Sequence, residues 1–176
     1  MQAINLRLVS ILAILTFGAS LAAQQATSAA TAPGKEIALA VERAPHEPLR
    51  LTAADLKAMS HITVTVHNPH TNADETYSGV RVVELLAKVG APVGADLHGK
   101  ALANYVVATG SDGYQSVLAL GEVDPSFHPG EVIVADTMNG KALDEHSGPL
   151  KLVVTEDKRP ARSVRNLVKL EVREAP

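Results

Sequence analysis

Cysteine is missing from all 176 residues. That absence removes disulfides, thiolate nucleophiles, iron–sulfur ligation and cysteine-rich zinc sites together, so packing must supply the stability. A surplus of positive charge is missing as well. Sixteen Lys and Arg stand against 19 Asp and Glu, the wrong balance for holding a phosphate backbone. Aromatic residues make up only 3% of the chain, too few for a base-stacking platform. No Gly-x-Ser-x-Gly elbow and no phosphate-cradling glycine loop occurs. Beyond Phe17, no apolar run approaches the ~20 residues of a membrane-spanning helix.

What is present begins with an address. Arg7 precedes the apolar stretch from Leu8 to Phe17, and Gly18-Ala19-Ser20 leads into Leu21-Ala22-Ala23. Charge, apolar core and small residues in that order form the secretory pattern. Residues 1–23 are therefore expected to be a signal peptide cleaved after Ala22 or Ala23, the alternative being an uncleaved anchor. The chain is expected in the periplasm or outside the cell. A single arginine, not an adjacent pair, points to export of an unfolded chain. Residues 24–34, rich in Ala, Thr, Ser and Gln and closed by Pro33-Gly34, read as a flexible tether. Residues 35–176 suit one domain of ordinary size.

Within that domain, Glu36 to Val41 predicts a strand that Pro45 and Pro48 end. Thr52 followed by Asp55 predicts a capped helix start, with Leu56 and Met59 facing inward. Ile62-Thr63-Val64-Thr65-Val66 is the clearest half-buried strand. Glu75 to Tyr77 returns, and Val80 to Val89 carries a helical apolar stripe closed by Gly90. Further strands are predicted over 103–109, 115–119, 132–135, 150–155 and 166–172, with Asp112-Gly113 and Asn139-Gly140 as turns. Strands outnumber helices and short turns join them. The fold class is α+β, a mixed, mostly antiparallel sheet with a few short packed helices.

Several segments, in order, resemble the sulfite-oxidase-type molybdopterin-binding domain: residues 51–56, Tyr77-Ser78-Gly79-Val80 with the Val83-Glu84-Leu85-Leu86 helix, Asp112-Gly113-Tyr114, Ile133-Val134-Ala135, residues 139–143, residues 148–154 and Arg162-Ser163-Val164-Arg165. The resemblance spans roughly residues 49–173 and implies that fold in a reduced form. It also implies molybdopterin as cofactor, with molybdenum held by the pterin dithiolene and one cysteine thiolate. The matching place for that cysteine is the end of the 62–66 strand, at His67 or a loop neighbour, and no thiolate is available there. Imidazole is a poor electronic substitute. The scaffold is therefore expected without the usual metal centre.

Lys158, Arg159, Arg162 and Arg165 place four cations within eight residues. Arginine's planar fork suits phosphate or carboxylate, and the resemblance sets Arg162, Ser163 and Arg165 near a pterin phosphate. The alternative is a solvated loop balanced by Glu156 and Asp157. Asp112 and Tyr114 flank a glycine that permits positive φ, with Tyr114 offering a hydroxyl at a pocket edge or simply packing in a hairpin. His67 and His70, near Asp74 and Glu75, are candidate metal ligands that lack an assigned third partner. Three functions follow: a non-catalytic module for a small anionic ligand or partner protein, a molybdopterin-dependent oxidoreductase without a cysteine ligand, or a ligand-free structural domain.

Overall fold

The computed structural model describes residues 36–176, so the signal peptide and tether read from the sequence lie outside the described residues. In chain order the elements are β1 (Leu39–Arg43), β2 (Leu49–Leu51), α1 (Ala53–Lys57), β3 (Ile62–Asn68), β4 (Ala73–Arg81) and α2 (Val82–Lys88). They continue with β5 (Asn104–Gly110), β6 (Gln115–Ala119), α3 (Leu120–Val123), β7 (Val132–Met138), β8 (Lys141–Ala142), β9 (Lys151–Val154) and β10 (Leu167–Glu174). None of the described helices is long and apolar enough to cross a membrane.

The strands divide between two sheets. One runs β2-β1-β10-β5-β6, in which β1 pairs with β10 in parallel and every other pairing is antiparallel. The other runs β3-β4-β7-β8, antiparallel throughout, with β9 also laid against β7. The α+β class expected from the sequence is therefore the observed one.

Local chemistry explains the boundaries. The Thr52 side chain accepts a hydrogen bond from Asp55 N at 3.2 Å, and the Asp55 carboxylate accepts one from Thr52 N at 2.9 Å. This is the reciprocal cap that satisfies two otherwise orphaned amides at a helix start. At α2 the sequence reading started the helix two residues early. Val80 instead sits opposite Val134 in β7, because a cross-strand pair on a buried face outweighs the helical spacing of its neighbours.

A large core lies on one face of each sheet and includes Leu39, Val41, Val106, Leu118 and Leu170 from the first, Val80, Val134 and Leu152 from the second, and Leu85 and Leu86 of α2. Strand alternation sends Val64, Tyr77, Ile133, Ala135 and Val153 into a smaller cluster on the second sheet's other face. Between Ser78 and Gly79 the β4–β7 register shifts. A side chain at Gly79 would collide with the backbone of Val134 and Ala135, so close strand approach explains the glycine of the Tyr-x-Gly-Val segment.

Candidate functional site

A cleft of about 1000 Å³ opens where both sheets contribute their ends. The strand-end loop at Asn68, Pro69 and His70, Glu75 and Tyr77 of β4, and Met138 of β7 form one part of its lining. Asp144, His146 and Ser147 precede Lys151 at the start of β9, and the segment from Lys158 to Arg165 and the β5–β6 turn complete it.

Tyr77 anchors the cleft. It is 1% exposed, fixed in the smaller apolar cluster by strand alternation. Its hydroxyl donates to Glu75 Oε2 at 2.6 Å and accepts from Lys151 Nζ at 2.6 Å. Asn68 Nδ2 donates to the other Glu75 oxygen at 2.7 Å. Burial works to raise the Glu75 pKa, but the hydrogen bonds from Tyr77 and Asn68 and the charge of Lys151 prevail, holding it below its ordinary value. Tyr77 is pushed up, first by burial and then by Glu75. Lys151 is pushed down chiefly by burial; Glu75 and Asp144 oppose this and Arg165 reinforces it. The triad thus carries a firm carboxylate, a firm phenol and a weakened ammonium.

The sequence-predicted residues separate in space. Lys158, Arg159, Ser163 and Arg165 line the cleft, as do Asp112 and Tyr114. Arg162 does not. Its fork donates to Asp157 at 3.0 and 2.6 Å and to Glu122 Oε1 at 2.7 Å, and these bonds raise its pKa, Asp157's first. It fastens the basic segment to α3. Grouping it with Arg165 as an anion ligand is corrected by that carboxylate pair. The Tyr114 hydroxyl is likewise committed, donating to Ala161 O at 2.6 Å, so Tyr114 contributes a 47%-exposed ring and not a free hydroxyl. Asp112 Oδ1 accepts Tyr114 N at 2.9 Å across a turn in which Gly113 has φ of 83°. Asp112 is therefore a turn former at the cleft's edge.

His67 lies outside the cleft, paired with Asp74 at 2.9 Å across the β3–β4 ladder. His70 lines the cleft instead. The two histidines are not gathered with a third ligand, and no group of three or more His, Asp or Glu able to hold a metal occurs among the described residues. Glu75, Tyr77, Asp144, His146 and Lys151 escaped the sequence reading as site residues. The only available signal was their position inside or beside the resembling segments.

The charges are unevenly satisfied. All three cleft carboxylates already accept hydrogen bonds from the chain: Glu75 as above, Asp112 from Tyr114 N, and Asp144 from Ser147 N at 2.8 Å. Of the four cations, Lys151 is bonded to a phenol and Arg165 to the His146 ring. Among the described residues, none of Lys151, Lys158, Arg159 and Arg165 forms an ion pair with a carboxylate. Lys158 and Arg159 have no hydrogen-bond partner among the described residues, and Lys151 and Arg165 bring positive charge that no carboxylate pairs.

The pattern of the oxidoreductase molybdopterin binding domain matches residues 27–176. The chain belongs to that family. No curated protein matches it. Among solved structures, the sulfane dehydrogenase SoxCD from Paracoccus pantotrophus superposes with a TM-score of 0.61 at 21% identity, over 80% of this chain and 39% of that one. The likeness is one of fold, and the molybdopterin-binding-family chain spans well under half of the dehydrogenase chain. The family implies molybdopterin, and the donor chemistry here fits only part of that group. The cations suit its phosphate. No thiolate exists for its metal: the strand end where the resemblance places one, at His67 or a loop neighbour, turns Asn68, Pro69 and His70 to the cleft.

Proposed function

We propose that this domain is an exported, non-catalytic accessory module that captures a small anion in the cleft. The observation that carries this reading is the imbalance just described: self-satisfied carboxylates beside four cations without a carboxylate partner. A dianion bridging Lys158, Arg159 and Arg165 would make charge-assisted hydrogen bonds, each contributing roughly 1.5–3 kcal/mol. Export rests on Arg7 and the apolar run to Phe17. Without a cysteine, the chain supplies no thiolate to a molybdenum ion.

Calorimetric titration of the purified protein with inorganic phosphate and pyrophosphate tests the proposal. Saturable binding that weakens with added salt, and weakens again in Lys158→Ala/Arg159→Ala, is the expected result. Failure of either anion to bind or to raise the melting temperature would leave the cleft a solvated surface and the domain a structural one. Family membership favours a second reading, an oxidoreductase holding molybdenum through the dithiolene alone. Metal and pterin analysis of protein from its native compartment separates the two.

A further inference from the structure

A bare row of amides and carbonyls along the last strand of a sheet is a template for another strand, and native folds shield it. Among the described residues, three of the four sheet edges are shielded. β2 is three residues long and follows Pro48. β6 runs into Glu122, whose carboxylate accepts the Ala119 amide at 2.8 Å and pairs with Arg162, so charge stands at that end. Along β9 the Leu152 amide donates to Val164 O at 2.8 Å and the Val154 amide to Ser163 Oγ at 3.3 Å, and the neighbouring β8 has only two residues. β3 is the exception. Five of its seven residues are β-branched, and it contains no Asp, Glu, Lys, Arg, Gly or Pro. It pairs with β4 alone.

Thr76 shows which groups of β3 face outward. Its amide donates to Asn139 Oδ1 at 3.0 Å and its carbonyl accepts from Asn139 N at 2.7 Å, so its main chain points toward β7. The residue opposite it on β3 is Thr65. Bonding direction alternates along an antiparallel strand, so Thr63, Thr65 and His67 turn amide and carbonyl away from β4. All three residues are exposed. No hydrogen bond from another loop or side chain among the described residues reaches their main-chain groups.

We propose that β3 is the interface with a second copy of this chain, the two strands running antiparallel about a two-fold axis at Thr65. The strand reads alike in both directions from that point. Thr65 meets the partner's Thr65, Thr63 meets the partner's His67, and Val64 meets the partner's Val66. The outward-facing pairs would exchange about six main-chain hydrogen bonds. On one face, Val64 and Val66 of both copies prolong the apolar cluster of Tyr77, Ile133 and Val153, which leaves Ile62 and Val66 only partly buried at its rim. On the other, Thr65 Oγ1 lies 3.4 Å from Thr76 Oγ1, and the pairing carries this threonine row across the axis, a favourable cross-strand combination. No like charges meet, because His67 is held to Asp74 of its own chain at 2.9 Å. This two-way match selects a second copy over a foreign strand. With both β3 edges consumed and the far edges shielded, the assembly closes at two.

Sedimentation velocity of the purified protein from about 10 μM to about 1 mM is the first measurement. The mass is expected to approach twice that of one chain as concentration rises. A monomer throughout, or growth past two chains, would overturn the proposal. Amide hydrogen exchange on the same unaltered protein locates the contact. Thr63, Thr65 and His67 are expected to gain protection only at high concentration, and a dimer in which these three exchange as freely as in the monomer would place the contact elsewhere. Thr65→Lys and Thr65→Glu each set like charges face to face at the axis, on an exposed edge position where a charge is compatible with the fold. Each is expected to weaken dimerisation about tenfold or more, and an equimolar mixture of the two to recover it. Recovery requires residue 65 to meet residue 65. Variants that dimerise as the wild type does, or a mixture no better than either variant alone, would refute the two-fold pairing.

Discussion

Arg162 and Arg165 stand three residues apart in one basic segment, and their replacement by alanine is expected to have opposite consequences. Arg162 is 37% exposed and grips Asp157 and Glu122. Pairs this open to water contribute roughly 1 kcal/mol at most. Arg162→Ala is therefore expected to lower the melting temperature by about 3 °C in a domain of this size. Affinity for phosphate should change less than about threefold, because the guanidinium does not line the cleft. Arg165 lines the cleft, and its side-chain partner is His146. Arg165→Ala is expected to leave the melting temperature within about 1 °C, since little stability is lost with it. It removes one charge-assisted bond to the anion, worth roughly 1.5–3 kcal/mol, so affinity falls about 10- to 150-fold. Thermal melts and phosphate titrations of both variants in one low-salt buffer decide the matter. Equal losses of affinity in the two variants, or a larger one in Arg162→Ala, would refute the division of labour drawn here.

Gly79→Ala is expected to destabilise the domain by about 1–3 kcal/mol or more, measured by urea unfolding, because its methyl would enter the Val134–Ala135 backbone. Glu171 is pulled down to about 2, first by Arg173 and then by Lys169. Its folded pKa lies below its unfolded one, so its contribution is present above about pH 4.5 and is lost as pH falls toward 2. After screening by solvent it amounts to about 1 kcal/mol at most. The stability gap between the wild type and Glu171→Gln should accordingly close over that interval in acid melts. Native purification followed by elemental analysis is expected to yield protein without stoichiometric molybdenum, and a tightly held molybdenum atom would overturn the accessory reading.

Much of the framework could be read from the chain because its signals are local. Thr52 and Asp55 declared a helix start and form the reciprocal cap. The alternation of residues 62–66 declared a half-buried strand and became β3. Val80 was misread because its partner, Val134, lies more than fifty residues away, and a helical stripe contains no record of a distant strand. The basic segment was conspicuous for the same local reason. Composition could not tell which of its arginines has a carboxylate waiting on another element. Tyr114 offered a hydroxyl on paper, and the Ala161 carbonyl, 47 positions later, takes it.

The absence of cysteine thiolates, the order of the family's segments and the α+β class are properties of composition and short-range pattern, and they need no folded coordinates. The Glu75–Tyr77–Lys151 line, the separation of Arg162 from Arg165 and the exclusion of His67 from the cleft arise from pairings between segments far apart in the chain. Whether a charge is neutralised or left for a ligand depends on what folding sets within about 3 Å of it, and that distance has no counterpart along the sequence.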